Sequence, residues 1–197
     1  VIATNYLGDY GTQFGTMIAA YKLWGNEKAI NADPINELLK LYVRYNSQAS
    51  EDPEMKDAAR SEFKNLEDGD TEATKLWQWF KDISLREFER VYGLLDIHFD
   101  DYNGESYNSQ FIPQTLELLK EKDLLVESDG AQIIDLSPYD LTPAIIIKSN
   151  GSSSYITRDI GTAINRKRKY DFKENLYVVA TQQNLHYQQL RKILELM

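Results

Sequence analysis

An α/β fold with a mainly helical middle and short β-hairpins is predicted for this chain by three observations. Tyr177-Val178-Val179 is an apolar, β-branched run bounded by polar residues, set between two helical patterns as a buried parallel strand is. Between Asn31 and Leu94, apolar residues recur at helical spacing, twice behind an acid followed by proline. Ser128-Asp129-Gly130 and Ser149-Asn150-Gly151 are hairpin-type turns joining strand-like runs.

The elements follow in order. Residues 1–6 read as a strand that enters a glycine-punctuated turn. A helix is expected over 12–23, with Phe14, Ile18 and Tyr21 or Lys22 on its inner face. Asp33 then serves as a cap, Pro34 takes the first turn, and Leu38, Leu39, Tyr42, Val43 and Tyr45 continue the helix. Another helix follows Glu51-Asp52-Pro53. A third covers 71–81 with Leu76, Trp77 and Phe80 inward, and a fourth covers 84–94. Short loops between them suggest a helical region of packed neighbours. Beyond Asp96 the pattern changes. An extended piece at 97–100 precedes a loop and a helix at 112–122. Two hairpins are then expected, pairing 124–127 with 131–135 and 144–148 with 153–157. Helix 159–168, strand 176–180 and helix 183–196 close the chain.

Composition narrows the class. At 197 residues, 42% of them hydrophobic, the chain can build one good core or two small ones. It contains no 18-residue apolar run, so no membrane-spanning helix is expected. Cysteine is absent, which excludes disulfides and thiolate sites and fits a cytoplasmic protein. The formal net charge is -9, from 22 basic and 31 acidic side chains. The acids crowd between Glu51 and Glu72 as a solvated helical face. The bases gather at Arg158, Arg166, Lys167, Arg168 and Lys169. So negative a bulk charge argues against strong non-specific nucleic-acid binding, although the basic stretch is open to a local RNA contact or to being an exposed helix end.

Three constellations carry chemistry. Tyr155-Ile156-Thr157-Arg158-Asp159 is read as a strand end running into a helix with Asp159 at the junction. There Asp159 either meets a cationic ligand beyond the strand ends or caps the helix, and Tyr155 either flanks that ligand or packs in the hairpin. Gln182-Gln183-Asn184-Leu185-His186 follows the expected buried strand. Gln183 offers an acceptor and donors to a zwitterion, and His186 is either a site residue or bonded to a backbone carbonyl. In the opening segment, Gly11 permits a tight turn that leaves Asp9 and Gln13 to face a ligand. Two isolated histidines, His98 and His186, give no metal-ligand pattern. No serine sits at a nucleophile elbow, so no catalytic triad is expected.

Five ordered blocks together resemble one family. They are Asn5-Tyr6-Leu7-Gly8-Asp9-Tyr10-Gly11-Thr12-Gln13-Phe14-Gly15; Phe88-Glu89-Arg90-Val91-Tyr92 with Phe99-Asp100 and Gly104-Glu105-Ser106; Ser128-Asp129-Gly130-Ala131; Tyr155-Ile156-Thr157-Arg158-Asp159; and Tyr177-Val178-Val179 through Gln183-Asn184-Leu185-His186. The chain resembles the catalytic domain of arginyl-tRNA synthetases, class I aminoacyl-tRNA ligases, over almost its whole length. Smaller departures are Tyr10, usually Trp, Ala180, usually Gly, and Gln182, usually an acid.

The resemblance implies a part of a Rossmann-like nucleotide-binding fold split by a helical insertion. On it, residues 1–30 and 158–197 are the two parts of the catalytic fold, 31–95 the helical insertion, and 96–157 an α+β segment returning to the core. It implies ATP-dependent activation of L-arginine to arginyl-adenylate and transfer to tRNA(Arg), with ATP as substrate and Mg2+ in the whole enzyme. Asp159 matches the acid that pairs with the substrate guanidinium, Tyr155 the aromatic beside it, and Gln183 the amide that helps hold the amino acid. Asp9, Gly11, Gln13 and His186 match pocket-lining or adenylate-side positions. None is implied to be a general base, a metal ligand or a covalent catalyst. The family's two ATP elements are expected outside these residues, so the chain reads as an internal piece that is inactive alone. The rival reading is a non-catalytic arginine-binding or scaffold module of the same fold.

Overall fold

The computed structural model describes residues 1–149 and 151–197. The chain forms two compact units, Val1–Gly104 and Glu105–Met197. The first is helical and the second mixes helices with a small antiparallel sheet, so the class is mixed α/β.

In the first unit α1 (Thr12–Trp24), α2 (Glu27–Ala32), α3 (Pro34–Ala49), α4 (Pro53–Glu67) and α5 (Thr71–Leu94) surround one apolar core. Ile18, Ile30, Leu38, Leu41, Tyr45, Phe80 and Ile83 are among its buried members. The proline entries form as expected. Pro34 and Pro53 open their helices, and the Asp52 carboxylate accepts from the Glu54 N–H at 2.9 Å. Asp33 holds the cap position of α3, but its carboxylate accepts from the Asn36 amide instead of capping backbone. α2 was not foreseen; its signal is Asn26, whose side-chain oxygen accepts from the Ala29 N–H at 3.1 Å.

One expectation for the helical region is corrected. The helices expected at 71–81 and 84–94 are a single 24-residue α5. Nothing between them breaks a helix: neither Gly nor Pro intervenes, Asp82 accepts from Gln78 one turn back, and Ile83 is buried. On α3 the inner face is Leu38, Leu41, Tyr45 and Ala49, while Leu39, Tyr42 and Val43 are exposed. All five apolar residues expected to continue this helix do so, and only Leu38 and Tyr45 of them are buried.

α1 and α4 cross at Gly15. A Cβ there would lie 2.2 Å from the Ala59 carbonyl oxygen and 2.9 Å from the Phe63 nitrogen. Backbone on both sides cannot yield, so the helices approach this closely only over glycine. We expect Gly15→Ala to destabilise the first unit by roughly 1–3 kcal/mol, as overpacking does. All three tryptophans, Trp24, Trp77 and Trp79, lie in this unit, so urea unfolding followed by their fluorescence reads it directly. An unchanged midpoint would mean the helices do not cross there.

The expected strand over 1–6 reduces to a parallel bridge between Thr4 and Asp101. Asn5 N–H donates to the Asp101 carbonyl at 2.7 Å, and Asp100 N–H to the Ala3 carbonyl at 2.8 Å.

In the second unit, α6 (Glu105–Asn108) and a 3-10 turn (Ser109–Phe111) precede α7 (Ile112–Glu121). β1 (Val126–Ser128), β2 (Ala131–Ile134) and β3 (Ala144–Ile147) form an antiparallel sheet in that order. The expected first hairpin is present. Ser128 pairs with Ala131, and the two residues between them, Asp129 and Gly130, have φ of 50° and 74°. That is the left-handed pair a two-residue hairpin turn requires. Ile134, Ala144 and Ile146 point into the core formed with α7, α8 (Tyr155–Tyr170) and α9 (Asn184–Leu196).

Two strand expectations are corrected here. The second hairpin is cut short: Ile147 and Ser153 form one antiparallel bridge, flanked by Lys148 N–H donating to the Ser152 carbonyl at 2.9 Å and Ser154 N–H to the Ile146 carbonyl at 3.0 Å, before α8 begins at Tyr155. Asn150, from its expected turn, lies outside the described residues. The strand expected at 176–180 carries no ladder, and Val178 is 98% exposed. β-branched composition marks fitness for a pleated, half-buried surface, and among the described residues of this unit no strand pairs with the segment.

Among the described residues no helix is long and apolar enough to cross a membrane.

Candidate functional site

In the second unit the chain folds back from β3 into α8 through two polar residues. Ser154 N–H and Thr157 Oγ1 both donate to the Ile146 carbonyl, at 3.0 and 2.8 Å, and Ser154 Oγ donates to the Ile145 carbonyl. Ser154 and Thr157 are buried, so these bonds anchor the first turn of the helix to the sheet. Ile156 and Ile160 then fix the inner face of α8 in the core. Tyr155 and Asp159, four residues apart, share the other face.

The site-bearing junction differs from expectation. Asp159 is not at the start of the helix: Ser154 holds the cap position and Asp159 sits in the second turn. Its carboxylate therefore meets side chains and caps nothing. Oδ2 lies 2.6 Å from His186 Nε2, with 17% of the Asp159 side chain and 14% of the His186 side chain exposed. This also settles the partner of His186, which is a carboxylate and no backbone carbonyl. Tyr155 is the first residue of α8 and belongs to no hairpin. Its exposed ring lies 5.2 Å from the His186 ring, centroid to centroid.

His186 arrives on the first turn of α9. Leu190 and Ile193, buried on the same helix, hold that helix to the core. Gln183 ends the 3-10 turn Thr181–Gln183 immediately before α9, and its side chain is exposed. Tyr155, Asp159 and His186 are thus brought into contact, with Gln183 three residues before His186.

Two tyrosines complete the surroundings and were not among the expected site residues. Tyr187 packs edge-on against His186 at 4.9 Å, and Tyr177 packs on Tyr187 at 4.7 Å. Burial, followed by the Asp159 charge, raises the Tyr187 phenol above its ordinary range. Burial is also the largest cause of the raised Tyr177 phenol, which Arg166 opposes and Asp159 reinforces. Both rings therefore stay neutral beside the carboxylate at physiological pH. The available signal was aromatic density: Tyr155, Tyr177 and Tyr187 bracket the Gln-Gln-Asn segment in sequence.

The first unit places Asp9, Gly11 and Gln13 around a tight turn. Asp9 is buried; its backbone carbonyl accepts from Trp77 Nε1 at 2.7 Å, and its Oδ2 lies 3.8 Å from Lys81 Nζ. The Lys81 ammonium also lies over the Trp77 ring. Gly104 approaches so closely that a Cβ would stand 2.4 Å from the Leu7 carbonyl oxygen and 2.6 Å from Asp9 Oδ1. Gly11 has φ of 140°, and Gln13, exposed on the first turn of α1, donates from Nε2 to the Tyr10 carbonyl at 3.1 Å. Tyr10 packs its ring on Phe63 and Trp77.

Chemically, the Asp159 cluster offers one carboxylate, one imidazole and aromatic faces. That set suits a planar cation: a carboxylate accepts the guanidinium fork and rings lie against its plane. Among the described residues, no group of three or more acids or histidines is placed to hold a metal.

Comparison with known proteins gives the family. The family model described as "tRNA synthetases class I (R), catalytic domain" matches residues 1–197. An arginine–tRNA ligase of Streptococcus suis (strain 05ZYH33) is 55% identical over 194 residues, 98% of this chain and 34% of the relative. The arginine–tRNA ligase of Clostridioides difficile (strain 630) is 55% identical over 196 residues, 100% of this chain and 35% of the relative. The chain thus spans about a third of the length of the curated relatives it matches. Among solved structures, arginyl-tRNA synthetase from Plasmodium falciparum superposes with a TM-score of 0.80 at 24% identity, covering 100% of this chain and 33% of the other. That of Thermus thermophilus gives 0.61 at 21% identity, covering 83% and 29%. At these identities the two structures speak for the fold.

Proposed function

The chain belongs to the catalytic-domain family of class I (R) tRNA synthetases, and from that membership we propose that the protein it is part of joins L-arginine to tRNA(Arg) using ATP. The reaction activates the arginine carboxylate as an adenylate, releasing pyrophosphate, and then passes the arginyl group to the tRNA. This chain's share is recognition of the amino acid. The reading rests on one observation above the others: a largely buried carboxylate, Asp159, set beside the rings of Tyr155 and His186.

In this proposal Asp159 takes the guanidinium as a two-point fork, Tyr155 lies against the guanidinium plane, and the exposed Gln183 amide meets the α-amino or carboxylate end. A fork of donors fits a carboxylate in a way that a lysine ammonium, a point charge, cannot. For the first unit, taken by itself, Asp9, Gly11 and Gln13 are proposed to line a ligand pocket, supported by the tight turn that they share. No residue of the chain is given a proton-transfer role, because positioning and charge stabilisation account for the chemistry of such a step. Mg2+ accompanies ATP in this reading and is assigned no protein ligand set. A cytoplasmic location is proposed along with the activity.

The test is ATP–pyrophosphate exchange by the full-length protein with arginine or lysine, beside the 197-residue chain alone. Exchange that depends on arginine, is absent with lysine and requires the full-length protein is the expected result. Exchange driven by another amino acid overturns arginine as the substrate, and none at all from folded full-length protein supplied with ATP, arginine and tRNA(Arg) overturns the reading in favour of a binding or scaffold module.

A further inference from the structure

The Asp159 carboxylate hangs from the second turn of α8 on a short side chain whose terminal torsion is intrinsically broad. A two-point fork requires the carboxylate plane to hold one orientation, so something has to set it. From α9, His186 Nε2 meets Oδ2 at 2.6 Å. The imidazole is itself held, with Tyr155 on one side at 5.2 Å and Tyr187 edge-on at 4.9 Å. An ionised carboxylate only accepts, so Nε2 carries the proton in this contact. One bond at Oδ2 leaves lone pairs on both oxygens, enough for a guanidinium fork as well.

We propose that His186 is a positioning residue for arginine recognition, holding the plane of the Asp159 carboxylate from the neighbouring helix through Nε2–H. The assignment rests on the reading of Asp159 as the guanidinium partner. Two consequences follow from the geometry. The carboxylate is oriented before arginine arrives, so less ordering is left for the binding step. The histidine also does not touch ATP in this role, so its removal falls on the arginine KM and leaves the ATP KM alone.

Two substitutions separate the donor from the ring. His186→Phe keeps a ring between Tyr155 and Tyr187 and removes the donor. His186→Gln removes the ring and keeps an amide N–H at a similar reach. Both are made in the full-length protein, with thermal unfolding recorded for each, and the KM for arginine and for ATP measured by pyrophosphate exchange. The expected result for His186→Phe is an arginine KM raised roughly 10- to 100-fold, the size of a hydrogen bond to a charged group, with the ATP KM and unfolding temperature unchanged. His186→Gln is expected to recover most of that loss. A wild-type arginine KM in His186→Phe overturns the proposal, as does a His186→Gln variant no better than His186→Phe. Asp159→Asn is run beside them. If it loses arginine while His186→Phe does not, the positioning role falls and the reading of Asp159 stands. If Asp159→Asn keeps the wild-type arginine KM, the reading itself falls and takes this inference with it.

Discussion

Asp159→Asn in the full-length protein is expected to lower kcat/KM for arginine by roughly a hundred- to a thousandfold, the scale on which truncating one member of a buried charge pair acts. The substitution is nearly isosteric and sits in the second turn of a 16-residue helix, so the fold should survive it. Its effect comes from the pattern of donors and acceptors. An asparagine retains one oxygen and exchanges the other for an NH2 group. His186 Nε2–H, 2.6 Å from Oδ2, competes for the remaining oxygen. With that oxygen turned to the imidazole, the amide NH2 faces the guanidinium, and donor meets donor. Losing the negative charge removes the attraction for a planar cation at the same time. The check is arginine-dependent pyrophosphate exchange, with circular dichroism confirming that the helices are intact. A variant with unchanged arginine kinetics would show that the guanidinium is read elsewhere.

Most of the helical unit could be read from the sequence, because the signals involved are local. Pro34 and Pro53 mark helix starts whatever the chain does later. Asp129-Gly130 takes the left-handed pair that its residue types prefer. Decisions made by tertiary context were harder to read. Residues 82–84 have polar members that suggest a break, yet buried Ile83 carries α5 through them. Residues 176–180 have the composition of a buried strand, but composition describes the surface a strand would fit, and among the described residues of the second unit no strand pairs with them. The candidate site shows the same division. Asp159, Tyr155 and His186 were legible as residues, through the family blocks that contain them. Their contact was not legible: α8 starts four residues before Asp159, so the carboxylate leaves the cap position and reaches His186, 27 positions away. Tyr187 follows His186 directly in sequence, and Tyr177 joins the cluster through its ring contact with Tyr187.

The phase of the helix faces in the first unit gives the second large effect. Phe80→Ala is expected to destabilise that unit by about 3–5 kcal/mol, the range for deleting a fully buried aromatic ring. Phe80 is 1% exposed on α5 and lies 5.6 Å from the Tyr21 ring of α1 and 5.3 Å from Trp79. Its removal leaves a cavity between helices that small side-chain shifts cannot close, since Ile83 and Ile18 are themselves fully packed. Val43 on α3 is the control. It continues its helix as expected and is 58% exposed, while Leu41 and Tyr45 on either side are buried. Val43→Ala should therefore change stability by no more than about 0.5 kcal/mol. Urea unfolding of both variants, followed by tryptophan fluorescence, decides the matter. A large loss from Val43→Ala beside a small one from Phe80→Ala would reverse the inner and outer faces, and with them the phase on which the helical unit is built.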